Sequence, residues 1–260
     1  MLKINKYSLI KNAAVLGVAS LSLSLIATSS SFSDGHIYGE NNPVTVKGYK
    51  GSKTDSTAYT GQMARQLQHN SLKKIVSKGN PSDPTSNTLN KMLNYFENKD
   101  KTKSMAILDP KSSSKFPVKQ KMVGEISTGS NLAGKADGRV QLSWPNNMTG
   151  ADVIRFMIKK ASKISGGVDM KNGMNYPQLI SKYTMGAVLY HQACDNYLDE
   201  KMTASNKPND KPYKKGAYYT GKEHSWDEAF GYWGAAAHTM TLSAQQSYDV
   251  AKKKDLKAAD

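Results

Sequence analysis

The segment Asn175–Lys201, with the sequence NYPQLISKYTMGAVLYHQACDNYLDEK, decides the fold class. The Asn175 side chain can accept a hydrogen bond from a free backbone amide, and Pro177 suits the first turn of a helix, so the two residues mark a helix N-terminus. The apolar residues of this segment recur at alternating steps of three and four, at Ile180, Tyr183, Ala187, Tyr190, Cys194 and Tyr197. This spacing predicts a helix of about 25 residues with an interhelical core along one side.

Apolar residues recur with helical spacing in other parts of the chain as well. Residues 98–148 lack this spacing and contain the Gly-rich stretch Gly124–Gly138. No stretch shows the sustained alternation of a β-strand. The sequence therefore predicts an all-α fold, a helical bundle with one long irregular insertion. The further helices are predicted over residues 58–77, 84–96, 149–164, 222–240 and 242–257.

The N-terminus predicts the compartment. Three lysines within the first 11 residues precede an apolar stretch of about 15 residues, which ends in small residues near position 29. This pattern is typical of a cleaved secretory signal peptide, and the stretch is shorter than the roughly 20 apolar residues that span a bilayer. No Cys follows it to carry a lipid. We expect a periplasmic or secreted protein that does not span a membrane.

Three parts of the chain are distinguished on this basis. Residues 1–29 are the predicted signal peptide. Residues 30–56 contain Ser, Gly, Asn, Pro and Lys with few large apolar groups, which predicts a flexible segment. Residues 57–260 are the predicted helical domain.

The net charge of +15 does not by itself indicate nucleic-acid binding. All but three of the 36 basic residues are Lys, and they are scattered along the chain. Bidentate contacts to guanine and to phosphate favour the planar guanidinium group of Arg. We therefore expect a solvated basic surface and no nucleic-acid partner. The single cysteine, Cys194, excludes an intramolecular disulfide bond and is expected to pack in the apolar stripe.

Candidate chemistry is concentrated in residues 221–234, GKEHSWDEAFGYWG. At about 100° per residue, one side of this helix is aromatic and the opposite side is polar or small. We expect the aromatic side, with Trp226, Phe230 and Trp233, to lie in the core. Gly231 and Ala235 are too small for an ordinary solvated face and predict the close approach of another helix. The polar side chains of the second face, His224, Asp227 and Glu228, are then at least partly buried.

A buried ionisable group needs a partner, and a metal ion can be that partner. An imidazole with carboxylates at i+3 and i+4 can surround one hydrated cation, and this donor set suits iron, zinc or manganese. The alternative is a network of hydrogen bonds, which the residues alone favour because His–carboxylate pairs at i+4 are common on helices. Supporting polar residues are predicted from the first helix, at Gln62, Arg65 and His69.

The string Glu223–Tyr232, EHSWDEAFGY, resembles the signature of a secreted bacterial family, domain of unknown function 4856. Tyr59–Arg65 resembles an early Tyr…Gln…Arg helix of that family, and residues 182–198 resemble its central helix. The resemblance covers about residues 45–250. Family members tend to continue into more helices after the signature, which implies that this chain is a shortened member.

The same family is similar to imelysin-like proteins, which are helical envelope proteins linked to iron uptake. This analogy implies an exported binding protein of the bacterial envelope that holds a small ligand, a metal or a metal complex, with iron or zinc at His224, Asp227 and Glu228. Neither His-Glu-x-x-His nor Gly-x-Ser-x-Gly occurs in the sequence, so an enzyme is the less favoured class.

Two alternatives stay open. The first is a metal-dependent hydrolase in which Glu228 or Asp227 is the general base. The second is a structural or interaction module. An open cavity at the three polar side chains favours binding or catalysis, whereas bonds from these side chains to neighbouring helices favour the structural role.

Overall fold

The computed structural model describes residues 44–54, 56, 58–83, 86–98, 105–107, 120–126, 128–233, 243–245 and 248. The predicted signal peptide lies outside these residues, as does the predicted last helix apart from isolated positions. The all-α fold is confirmed, with helices α1 (Thr60–Val76), α2 (Asn87–Glu97), α3 (Gly150–Ser162), α4 (Tyr176–Thr184) and α5 (Gly221–Trp233), and a π-helix (Met185–Lys201) that continues α4.

A short hairpin precedes α4. Its strands, β1 (Val168–Asp169) and β2 (Met174–Asn175), are antiparallel, and Val168 lies opposite Asn175. The Asn175 side chain then accepts a hydrogen bond from the Gln178 amide at 3.1 Å, so α4 begins where the sequence predicts.

Helix α3 follows its sequence pattern closely. The Thr149 hydroxyl accepts a hydrogen bond from the Asp152 amide at 3.4 Å, and the Asp152 carboxylate accepts one from the Thr149 amide at 3.1 Å. This reciprocal pair is a capping box, which satisfies two backbone donors that the helix leaves free. The apolar side of α3 is buried in the core, at Val153, Ile154, Met157, Ile158 and Ala161.

Helix α2 begins later than its sequence pattern indicates. Its first residue is Asn87, and the preceding Ser86 has a positive φ of 56°. The Asp83 carboxylate nevertheless accepts a hydrogen bond from the Thr88 amide at 2.6 Å. Asp83 therefore caps the first turn from outside the helix.

The predicted apolar stripe of residues 180–197 is wrong in its middle. Ile180 and Tyr197 are buried at its two ends, but Tyr190 is 56% exposed. The physical reason is the π-helix, whose i→i+5 hydrogen bonds put more residues into each turn than the 3.6 of an α-helix. The buried positions shift accordingly, and in the π-helix they are Ala187, Val188, Leu189, Gln192, Ala193 and Tyr197.

The irregular insertion packs against the π-helix. The Asp137 amide donates to the Ala187 carbonyl at 2.7 Å, and the Gln192 side-chain amide donates to the Lys135 carbonyl at 2.9 Å. Within the described part of the insertion, four short 3-10 turns take the place of longer helices, at Val123–Glu125, Thr128–Ser130, Ala133–Lys135 and Pro145–Asn147.

The chain before α1 contacts α5. Val46 is buried, and the Thr45 hydroxyl donates a hydrogen bond to the Glu223 carboxylate. The Tyr49 ring lies 6.1 Å from the Tyr218 ring. Of the helices that the structure describes, none is both long enough and apolar enough to cross a membrane.

Candidate functional site

Helix α5 starts at a capping box of its own. The Thr220 amide donates to the Glu223 carboxylate at 2.6 Å, and the Glu223 amide donates to the Thr220 hydroxyl at 3.2 Å. The preceding loop is closed by a hydrogen bond of 2.9 Å from the Tyr213 amide to the Tyr219 carbonyl. Both features fix the first turn of α5, and with it the direction of His224.

Two of the three aromatic residues of α5 do not lie in the core as the sequence predicts, whereas Phe230 packs against it, with its ring 5.5 Å from that of buried Tyr59. Trp226 is 49% exposed and Trp233 is 71% exposed, whereas Asp227 on the other side is only 4% exposed. The reason is that the polar side finds partners on α1, so its burial does not leave charges unpaired. The outward aromatic side borders an apolar cavity of 410 Å³ together with Cys194 and Leu198 of the π-helix.

Gly231 lies where α5 and α1 approach most closely. A Cβ atom at this position would stand 2.5 Å from the Cβ of Gln62 and 2.9 Å from the Cβ of Tyr59. Any larger residue would push the helices apart. The Gln66 side-chain amide adds a hydrogen bond of 2.7 Å to the Tyr232 carbonyl. Ala235, the second predicted close-packing position, lies outside the described residues.

Asp227 is bound to the chain just before α1. Its carboxylate accepts a hydrogen bond of 2.9 Å from the Ala58 amide. That amide belongs to the segment leading into α1, which begins at Thr60. Asp227 therefore ties the two helices together.

Glu228 lies among groups from three elements. One carboxylate oxygen accepts a hydrogen bond of 2.8 Å from the Gln62 side-chain amide on α1. The other is 3.5 Å from Nε2 of His224, one turn earlier on α5. Burial raises the pKa of Tyr197 on the π-helix, and the Glu228 carboxylate raises it further. Glu228 is thus the polar centre of the contact between α1, the π-helix and α5.

His224 packs against two tyrosine rings of the preceding loop, which also contact each other at 5.9 Å. The Tyr219 ring stacks on the imidazole at 4.8 Å, and the Tyr213 ring lies 4.6 Å from it. The Nδ1 atom is buried and has no hydrogen-bond partner among the described residues. Burial lowers the pKa of His224, although the nearby Glu228 carboxylate acts in the opposite direction. The imidazole is therefore held in its neutral form, in which it can bind a ligand as donor, as acceptor or as a metal ligand.

The other predicted polar residues divide between two places. Gln62 reaches Glu228, as described above. The Arg65 guanidinium lies 5.7 Å from the Tyr232 ring, and its Nε atom donates a hydrogen bond to the Ser130 carbonyl. His69 is bound to α4 and not to the polar side chains of α5, because its Nε2 atom is 3.0 Å from the Ser181 carbonyl.

A three-ligand metal site is not formed. In the described ranges of the chain, no three His, Cys, Asp or Glu side chains are grouped so that they could hold a metal ion. The structure brings His224 and Glu228 together but turns Asp227 towards Ala58. Consecutive residues on a helix point about 100° apart, which directs the two acids to different partners.

Sequence reasoning overlooked the basic and aromatic residues behind Glu228. The Lys201 ammonium lies 3.8 Å from the centre of the Tyr197 ring, and the Tyr197 ring stacks on Tyr232 at 5.8 Å. The sequence pattern assigned Tyr197 to an apolar stripe. A Tyr with a Lys four residues later, near the end of a helix, could have been recognised as a cation–π pair.

A family model matches most of the chain. The model described as Domain of unknown function (DUF4856) matches residues 40–257. The chain belongs to the DUF4856 family. The match covers all five α-helices and the π-helix, including the whole site around Glu228. No curated protein and no solved structure matches the chain.

Proposed function

We propose that this DUF4856 protein is an exported helical binding protein of the bacterial envelope, and that its small ligand is recognised at His224. The observation that carries the proposal is the pair formed by His224 Nε2 and Glu228 Oε2, which face each other at 3.5 Å. The Nδ1 atom on the other side of the ring is buried without a hydrogen-bond partner among the described residues, and a ligand or water that reaches it would remove that cost. The adjoining rings of Tyr213 and Tyr219 supply aromatic surface for a bound molecule.

A metal complex is the ligand class that the donor pair fits. The 3.5 Å between His224 Nε2 and Glu228 Oε2 is longer than an ordinary hydrogen bond of about 2.7–3.2 Å. Two donors that each lie about 2.0–2.2 Å from one zinc-sized ion in tetrahedral geometry are separated by a similar distance. With two protein donors, the remaining coordination positions belong to the molecule that carries the metal. Iron and zinc both accept such a mixed donor set.

Metal titration tests this proposal. Zinc(II), iron(II) and manganese(II), each free and as its citrate complex, are titrated into the purified protein and into a His224→Ala variant. We expect at least one of them to bind the unaltered protein and to bind the variant at least tenfold more weakly. The matched control is His191→Ala, because His191 also has a carboxylate one turn later, with Nδ1 3.1 Å from Asp195.

The result that would contradict the proposal is identical binding, or absence of binding, in the unaltered protein and His224→Ala for every metal and complex. A loss of binding in His191→Ala of the same size as in His224→Ala would also contradict it, because the effect would then not belong to the signature helix.

Export is tested separately. The proposal requires that the chain be found outside the cytoplasm of a bacterial host and that its mass correspond to cleavage near residue 29. Deletion of the three lysines and the apolar stretch should leave the protein in the cytoplasm. Full-length protein retained in the cytoplasm would contradict export while leaving ligand binding untouched.

One observation favours the structural module as a second candidate. Both acids of the signature accept hydrogen bonds from α1 or the segment before it, Asp227 from the Ala58 amide and Glu228 from the Gln62 side chain. In this case an Asp227→Asn or Glu228→Gln variant loses stability, and His224→Ala changes neither stability nor the binding of any probe. The hydrolase alternative has no comparable observation in its favour among the described residues.

A further inference from the structure

A stack of charged and aromatic side chains joins three elements behind Glu228. The Lys201 ammonium lies over the Tyr197 ring at 3.8 Å, Tyr197 stacks on Tyr232, and the Arg65 guanidinium lies 5.7 Å from the Tyr232 ring. Lys135 of the insertion belongs to the same group. Its carbonyl accepts a hydrogen bond from Gln192 of the π-helix, and its charge interacts with those of Arg65 and Lys201. These five residues are called the cationic cluster below.

The cationic cluster has more positive than negative charge. Burial lowers the pKa of Lys135, and the charges of Arg65 and Lys201 lower it further. Burial likewise lowers the pKa of Lys201. Glu228 is the acid that acts on both lysines, and exposed Glu200 acts on Lys201 as well. Glu228, whose side chain is 19% exposed, already accepts a hydrogen bond from α1, so this single carboxylate also serves both lysines. Uncompensated buried charge is strongly unfavourable.

Two buried hydrogen-bond donors in the cationic cluster have no acceptor among the described residues. They are Nη1 of Arg65 and the hydroxyl of Tyr232. Arg65 is 8% exposed and Tyr232 is 1% exposed, so bulk water does not satisfy them. A guanidinium can only donate, and burial raises the pKa of Tyr232, so its phenol keeps its proton. Arg65 interacts with this phenol through a side-chain hydrogen bond in which the phenol oxygen accepts, so the phenol proton is still available to be donated. Both groups therefore require an acceptor.

We propose that the cationic cluster binds an anionic group, a carboxylate or a phosphate, of the small ligand recognised at His224. One such group would accept hydrogen bonds from Arg65 and Tyr232 and offset the excess charge of the two lysines. Glu228 connects the two halves of the site, since it contacts His224 on one side and the cluster on the other. This inference rests on the proposed binding function and adds the charge and chemical class of the ligand.

Anion binding is measured with inorganic phosphate and with malonate, each compared with chloride at the same ionic strength. Calorimetry and thermal unfolding of the purified protein are the readouts. We expect saturable binding of at least one of the two anions, and the stronger one identifies the anionic group. Tyr232→Phe keeps the ring and removes the hydroxyl, so it should weaken binding about fivefold or more. Arg65→Gln should weaken it about tenfold or more.

The variants are controlled for folding and for charge. Tyr232→Phe removes a hydroxyl whose proton has no acceptor among the described residues, so its unfolding temperature without anion should not fall. Arg65 also holds the Ser130 carbonyl, and its variant could fail to fold, in which case Tyr232→Phe decides the outcome. Lys171→Gln removes an exposed cation from the turn between β1 and β2 and should leave both affinities unchanged.

Two results would overturn the inference: no saturable binding of either anion beyond chloride, or equal affinities in the unaltered protein and Tyr232→Phe. His224→Ala separates this failure from that of the proposed function. If phosphate or malonate binds, but every metal and metal complex has the same affinity for the unaltered protein and for His224→Ala, only the site at His224 is rejected. Binding of a metal complex through His224 without any anion binding rejects the cationic cluster alone.

Discussion

Helices α3 and α5 have the same length but bury opposite kinds of side chain. Each contains 13 residues. Helix α3 turns its apolar side inward and leaves Lys159 and Lys160 exposed. Helix α5 turns Asp227 inward, whereas Trp226 is 49% exposed and Trp233 is 71% exposed. The hydrophobic pattern gives the orientation of α3 correctly and that of α5 wrongly.

The difference between α3 and α5 shows when the hydrophobic pattern determines which side of a helix is buried. In α3 the apolar side fills the core, and the charged side chains stay at least partly exposed even where Arg155 pairs with Glu97 of α2 at 3.1 Å. In α5 the polar side contains Gly231, which lets α1 approach so closely that Gln62 and the Ala58 amide reach the two acids. A glycine within a polar stripe is therefore a better indicator of the buried side than the aromatic residues opposite it.

The sharpest test of this explanation is Gly231→Ala. The added Cβ would stand 2.5 Å from the Cβ of Gln62. Because both atoms belong to helices, neither can yield without moving a backbone, and we expect the free energy of unfolding to fall by about 2 kcal/mol or more. Gly186→Ala in the π-helix is the control, since a Cβ there meets nothing within 4 Å. Urea denaturation of both variants is the measurement, and equal stabilities would contradict the close approach.

The two sides of α5 can be compared directly by removing one residue from each. Asp227→Ala leaves the Ala58 amide without this acceptor, which should cost about 1–3 kcal/mol of unfolding free energy. Trp233→Ala removes a larger side chain that is 71% exposed, and it should cost about 0.5 kcal/mol or less. Urea denaturation again supplies the values. A larger loss for Trp233→Ala would mean that its side of α5 is the buried one after all.

The sequence predicts the elements of the fold better than the contacts between them. Local signals sufficed for the start of α3 at Thr149 and the start of α4 after Asn175, because a cap is a contact between residues close in sequence. The π-helix was missed because an α-helix and a π-helix share the same residue preferences. The contact of Tyr197 with Glu228 was missed because it comes from three-dimensional packing that no spacing along the chain records.

The N-terminal caps of α3 and α5 provide a matched comparison of smaller effects. Thr149→Ala and Thr220→Ala each remove the hydroxyl of a capping box and should lower the free energy of unfolding by about 1 kcal/mol. The loss at Thr220 should be the greater, because its hydroxyl donates to Asn209 of the preceding loop at 2.6 Å, whereas the Thr149 hydroxyl donates within its own capping box, to Asp152 at 2.7 Å. Thr→Ser at either position keeps the hydroxyl and serves as the control. If alanine at 220 costs less than alanine at 149, the start of α5 does not depend on its cap.

Acid should weaken the two helices over separate ranges of pH. Burial lowers the pKa of His224, so below its ordinary value of about 6.5 the unfolded chain takes up a proton more readily than the folded chain. The contribution of neutral His224 is therefore present above that pH and is lost as the pH falls towards its folded pKa. In α3, the hydrogen bond from Thr149 holds the pKa of Asp152 below its usual range, so this contribution is lost only at a pH below about 4.

The free energy of unfolding, measured from pH 7.5 to pH 3 in three proteins, separates these contributions. A His224→Asn variant should lose less stability between pH 7 and pH 5 than the unaltered protein, because asparagine takes up no proton there. An Asp152→Asn variant should be less stable than the unaltered protein at pH 7, and the difference should shrink only below about pH 4. If His224→Asn and the unaltered protein have parallel profiles down to pH 5, the imidazole is not buried in its neutral form. The polar side of α5 would then face water, as the polar side of α3 does.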